Sequence, residues 1–180
     1  MLGPAFCTPR LATLALAAAA LTLTACSPSL NWRQVRSDAA PLTLLLPCKT
    51  DRAQKEVPLG GVPVTLSMLG CEADGVTFAV SVADIGDTTR ASAVLAQWQA
   101  LTLAHMRAQA PNLQPAKVPG AGTDPAPVRV QARGQQADGR AVEGQALYFA
   151  RGSLLVQAVV YAPRIAPEAA DTFFGGLALQ

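Results

Sequence analysis

Histidine is nearly absent from this sequence: His105 is the only one in 180 residues. That excludes metal sites built on several histidines, including the H-E-x-x-H helix of zinc hydrolases. There is no G-x-S-x-G nucleophile turn and no glycine-rich phosphate loop opening a helix. The glycines of "GGVPV" (60–64) and "PGAGTDP" (119–125) keep company with prolines and read as turns. Charge is sparse too, at 14% of residues, with no basic block. Nucleic-acid binding needs concentrated positive charge, so no nucleic-acid partner is expected. Nothing in the sequence implies a cofactor, a bound metal or an enzymatic reaction.

What the sequence does have is an informative beginning. Residues 1–10, "MLGPAFCTPR", hold one charge, Arg10, and no acid. An apolar run of 15 residues, 11–25, follows. It is short of the roughly 20 residues that a membrane-spanning helix needs. A basic start, an apolar centre and a small-residue exit describe a secretory signal peptide; the rival is an uncleaved anchor helix. The run ends in Leu23-Thr24-Ala25-Cys26, which resembles the lipobox of bacterial lipoproteins. The resemblance covers about the first 26 residues. It implies that the Cys26 thiol receives a diacylglyceryl group, that the peptide is cut before Cys26, and that the new amino terminus is acylated, palmitate being the expected chain. Two or more acyl chains give stable attachment where one gives only marginal binding. Ser27 follows where an aspartate favours inner-membrane retention in related lipoproteins, so the periplasmic face of the outer membrane is the expected address. The implied division is a signal peptide at 1–25, a lipidated N-terminus and tether at 26–41, and one domain at 42–180.

The same resemblance accounts for the cysteines. Cys7 leaves with the signal peptide and Cys26 carries lipid, which leaves Cys48 and Cys71 in a compartment where disulfides form and persist. One Cys48–Cys71 bridge is expected. A zinc site competes for these residues, but zinc takes three or four protein ligands. The two cysteines are 23 positions apart, not in a C-x-x-C redox pair. Removing Arg10 from the 14 basic residues leaves 13 against 12 acidic ones, a nearly neutral mature chain.

Along the domain, "LTLLLPC" from Leu42, "TDRAQKEVPL", "VPVTLSMLGC" and "VTFAVSVAD" read as four strands. Val62, Val64, Leu66 and Met68 share one face, as do Val76, Phe78, Val80 and Val82; such period-2 alternation means a half-buried antiparallel sheet. The period then lengthens. Residues 86–112 predict one helix, capped by Asp87 or Thr88, with Arg107 in its last turn and Pro111 at its end. Its core-facing side is Ala91, Val94, Leu95, Trp98, Leu101, Thr102 and His105. Residues 111–127 hold five prolines and read as a loop. Three more strands follow, with Asp138-Gly139 predicting a type I′ hairpin. Pro167 opens a short last helix whose apolar face is Ala170, Phe173, Phe174 and Leu177. The expected class is α+β: an antiparallel sheet of about seven strands, in the order four strands, helix, three strands, helix, with the long central helix and the short C-terminal one packed on it. The ending "LYFARGSLLVQAVVYAP…EAADTFFGGLAL" is similar in pattern to the PsbP-like α/β/α sandwich, over the last 100 residues or so. That resemblance implies a fold shared by assembly factors and binding modules, and no reaction.

Few residues stand out as a site. His105 is expected as a buried or boundary histidine satisfied by one hydrogen bond. Trp32, with Arg33 and Arg36, either rests at the lipid interface or packs on the domain. Lys49, Asp51 and Arg52, with Glu72 and Asp74 beside Cys71, are expected to form a mixed-charge contact patch at one end of the sheet; the plainer reading is a solvated strand edge. The leading functional expectation is a lipid-anchored protein that touches an envelope protein of unknown identity. The alternative is a lipoprotein that holds a small apolar or lipid ligand between sheet and helix, and it requires a pocket of several hundred Å³.

Overall fold

The computed structural model describes residues 30–180, so the apolar run and Cys26 lie outside the described residues. In chain order the elements are strands β1 (Arg33–Arg36), β2 (Leu42–Leu46), β3 (Asp51–Leu59), β4 (Val62–Ala73) and β5 (Val76–Asp84). A 3-10 turn (Thr88–Arg90) leads into helix α1 (Ala91–His105). Strands β6 (Gln109–Pro115), β7 (Val128–Gln135), β8 (Ala141–Arg151) and β9 (Leu154–Ala162), helix α2 (Pro167–Gly175) and strand β10 (Ala178–Leu179) complete the chain. The class is α+β with a seven-stranded antiparallel sheet, in the order β3-β4-β5-β9-β8-β7-β6. It consists of two meanders joined where β5 meets β9, with Phe78 opposite Val160 and Ser81 opposite Gln157.

The sheet's membership differs from the expectation. "LTLLL" does not join it. This segment forms β2, the centre of a separate sheet ordered β1-β2-β10. Leu42, Leu44 and Leu46 are almost fully buried against the face of the large sheet. The supposed tether therefore includes a strand, β1, paired to β2 from Arg33↔Leu46 to Arg36↔Thr43. The seventh place is taken by β6, within the stretch read as a loop. Its two prolines are tolerated because β6 is an edge strand, where a missing N–H costs no ladder bond.

Alternation was legible, but the solvent exposure it implied was not. Phe78, Val80 and Val82 point to one core with α2 and β2. The opposite face of β5 is covered as well: Ala83 packs with Ala91, Val94, Leu95 and Trp98 of α1. The centre of the sheet is thus buried on both sides. On the α2 side, aromatic edges run from Trp32 to Phe78 (5.6 Å between centroids), to Phe173 (5.4 Å) and to Phe174 (5.2 Å). Such pairs add to the area they bury. Trp32 accordingly packs on the domain. Beyond Phe174 the Arg129 guanidinium lies 4.7 Å from the ring centroid and pairs with Asp171 at 2.9 Å, tying β7 to α2.

Helix α1 starts as expected and ends early. Asp87 Oδ1 accepts from Thr89 N–H at 2.9 Å and caps the entry turn. At the other end Arg107 adopts φ +48°. Its N–H donates to Ala104 O at 3.0 Å, and the Ala108 N–H donates to Leu103 O at 2.9 Å. These are the two bonds of a Schellman cap, with arginine in the position glycine usually takes. Gln135 N–H then donates to Met106 O at 2.7 Å, fixing the helix end to β7. Leu101, expected on the core face, is 45% exposed. The hairpins are also partly as read. Asp74 (φ +54°) and Gly75 (φ +71°) both take positive φ, the type I′ pattern. At Asp138-Gly139 only the glycine does, at +85°, and Gln136 N–H bonds Arg140 O across a longer loop.

Cys48 and Cys71 form a disulfide that fastens the end of β2 to β4. With 23 residues of separation, the loop-closure model assigns it about 3 kcal/mol. The double variant Cys48→Ala/Cys71→Ala is expected to lose about that much in urea denaturation; an unchanged midpoint would show that the β1-β2-β10 layer holds without the crosslink.

Candidate groove between helix α1 and the sheet

The two faces of the large sheet are covered unequally. One carries α2 and the β1-β2-β10 sheet. The other carries α1 alone, which has 15 residues and is about 22 Å long and roughly 10 Å wide. Seven strands spaced about 4.8 Å apart are wider than that. Where the C-terminal half of α1 leaves the sheet open lies a groove of about 530 Å³. Its apolar walls include Leu66, Met68, Trp98, Met106, Val142 and Val159; its polar lining includes Ser81, Thr102, His105, Gln157 and Tyr161. A shallower depression of about 310 Å³ adjoins it, sharing Met68 and Thr77.

A polar row crosses the floor. Ser81 on β5, Gln157 on β9 and Tyr148 on β8 are register partners on three adjacent strands. Gln157 is 7% exposed, yet both hydrogens of its amide are used: Nε2 donates to Thr102 Oγ1 at 2.8 Å and to Tyr148 Oη at 3.0 Å. Thr102 in turn donates to Trp98 O at 3.0 Å. This network fastens the middle of α1 to the sheet. Burial pushes the Tyr148 hydroxyl above its ordinary range, while hydrogen bonds to Thr102 and Gln157 pull the other way. Tyr161, further along β9, is pushed up to about 12 by burial and then by the neighbouring Tyr148. The groove therefore presents neutral hydroxyls and amides.

Sequence reasoning missed this row. One signal was available: Gln157 is the single amide in the nine residues of "LLVQAVVYA", polar beside only Tyr161. Ser81 falls among the residues that alternate with Val76, Phe78, Val80 and Val82, so it gives no signal of its own. His105 is not the buried or boundary histidine expected. It ends α1 exposed, at the rim of the groove, because the helix stops there. The mixed-charge patch is divided. Asp51 and Glu72 lie on the α1 side of the sheet by register, and Arg52 alternates to the other side. There Arg52 pairs with Asp38 at 2.7 Å and donates to Arg36 O at 3.1 Å. Lys49 precedes β3, and Asp74 sits at the tip of the β4–β5 turn. Among the described residues there is no group of three or more metal-ligating side chains placed to hold an ion, and no helix is long and apolar enough to cross a membrane.

No family model matches the chain, and no curated protein matches it. Among solved structures, the chain is similar to PA94 of Pseudomonas aeruginosa, a protein of unknown function, at 15% identity and a TM-score of 0.36, over 73% of this chain and 82% of that one.

The raised Tyr161 pKa sets a pH dependence. Between its ordinary value of 10 and about 12, the unfolded chain has already lost a proton that the folded chain keeps, so stability falls as pH rises through that window. Urea titrations from pH 9 to 12 are expected to show this loss, and Tyr161→Phe to flatten it; equal slopes in the two proteins would remove Tyr161 as the cause.

Proposed function

We propose that this chain is a lipid-anchored bacterial envelope protein whose domain holds a small ligand in the groove beneath α1. The single observation behind this reading is the groove itself: about 530 Å³, within the range of small-molecule sites, and lined by apolar side chains with a few convergent polar groups. The lipobox-like Leu23-Thr24-Ala25-Cys26 supports the anchor, with Cys26 as the acylated residue and the periplasmic face of the outer membrane as the address. A protein that serves only as a docking partner needs no such groove, so the ligand-binding reading stands ahead of the interaction reading. Binding is also favoured over catalysis by the way the groove's groups are used. Thr102 donates to a backbone carbonyl rather than to a base, whereas a catalytic nucleophile needs a base within hydrogen-bond reach. The α1 layer, the large sheet and the α2 layer are in keeping with the PsbP-like resemblance, a fold that hosts binding modules and implies no reaction.

Native mass spectrometry of protein extracted from the cell envelope is expected to show a retained small molecule. Thr77→Trp, which places a bulky ring at the exposed rim of the groove, is expected to abolish retention while leaving the fold intact. Identical spectra for the two proteins would sink the ligand reading. Cys26→Ala is expected to move the protein out of the membrane fraction and to remove the acyl mass; membrane association unchanged by it would remove the lipid anchor independently of the groove.

A further inference from the structure

The polar row in the groove floor has unused capacity. Gln157 is 7% exposed and Ser81 8%, so both are more than nine-tenths buried, and both line the groove. The Gln157 amide spends its hydrogens on Thr102 and Tyr148. Among the described residues, no side-chain or backbone group donates to its carbonyl oxygen Oε1, and the Ser81 hydroxyl has no hydrogen-bond partner. Neither atom is sealed off: the one fully enclosed side-chain atom without a partner among the described residues is Arg129 Nε, on the opposite side of the sheet. Both atoms are open to the groove and free to exchange water for a ligand's polar head. Ser81 and Gln157 face each other across β5 and β9, with Cβ atoms about 5 Å apart. Side by side they offer an acceptor and a hydroxyl able to donate or accept. Four residues along β9, about 13 Å away, stands Tyr161, and Val159 lies between them on the same face.

The lining is also free of permanently charged side chains. It contains no lysine, arginine, aspartate or glutamate; His105 sits at its exposed rim, and Tyr161 holds its proton. An ion placed deep in the groove against Ser81 and Gln157 would lose hydration with no charged lining residue beside it, the nearest charges by register being Glu72 and Lys55 at the edges, opposite Thr77 and Leu66.

We infer that the groove selects an uncharged amphipathic molecule, whose amide-type head both donates to Gln157 Oε1 and accepts from the Ser81 hydroxyl while its apolar body lies over Val159 toward Tyr161. The inference rests on the ligand-binding reading above and names the chemistry of that site. It makes Ser81 a specificity determinant rather than a fold residue, because removing its hydroxyl breaks no protein hydrogen bond.

The test uses the full lipidated chain in phosphatidylcholine nanodiscs, carrying Trp32→Phe so that Trp98, on the groove wall, is the sole reporter of intrinsic emission. Three probes of one chain length are titrated at pH 8: octanamide, octanoate and octylammonium, with empty nanodiscs correcting for partition. Octanamide is expected to shift Trp98 emission saturably, with the two ions at least tenfold weaker. Ser81→Ala is expected to weaken octanamide about tenfold, and Ser81→Cys to behave alike, with circular dichroism confirming that both remain folded. An ion binding as tightly as octanamide, or both Ser81 variants binding it unchanged, would overturn the inference and leave the groove as a ligand site of other chemistry. No saturable response to any of the three probes in a folded protein would overturn the ligand reading itself.

Discussion

The pairing of β5 with β9 holds the architecture together. Each meander alone is a small sheet with little to bury; joined there, they become a seven-stranded surface whose centre is dry on both faces. The residues are suited to it. Phe78, Val80 and Val82 face Val156, Ala158 and Val160 on the α2 side, while Ala79, Ser81 and Ala83 face the other. The chain between the two strands includes α1 and the whole of β6, β7 and β8, so the central contact closes a long loop. Such non-local pairing is slow to form and depends on side chains that favour no competing register.

From that central seam the asymmetry of the molecule follows. The α2 side is roofed twice over, by a helix with paired aromatics and by three short strands. The α1 side has one helix, held at its start by Arg90 donating to Gly60 O in the β3–β4 turn, in its middle by Thr102 and Gln157, and at its end by the Gln135 N–H of β7 donating to Met106 O. Three fixed points make this a stiff roof over part of a wide floor. The groove is therefore a consequence of layer widths, and it is polar where the row that holds the helix runs on past it to Ser81.

Much of this was readable from sequence wherever one local force dominates. Alternation in "VTFAVSVAD" placed Phe78, Val80 and Val82 on one face, and period 3.6 placed Ala91, Val94, Leu95 and Trp98 against the core. The Cys48–Cys71 pairing followed from the compartment that the lipobox resemblance implied. What escaped depends on non-local context. Arg107 in a cap position gives no glycine signal, so the helix looked longer than it is. Pro111 and Pro115 argue against a strand unless the strand is known to be at an edge. "LTLLL" is a strand in either sheet; only β1 and β10 decide which. Ser81 and Gln157 acquire meaning only once β5 lies beside β9, and nothing within either segment specifies that neighbour.

The disulfide also changes how the domain would answer a mechanical pull. Force applied at Leu30 meets β1 first, and β1 and β2 form an antiparallel hairpin whose open end, at Arg33↔Leu46, is the loaded one. Such a hairpin unzips one pair at a time, the weakest geometry a sheet can offer. Extension stops at Cys48, after a reach of roughly 60 Å, because the bridge passes the tension to Cys71 inside β4, a strand flanked on both sides by β3 and β5. Tension that has opened the β1–β2 pairs is thus handed to a strand paired on both sides, inside the large sheet rather than at its edge.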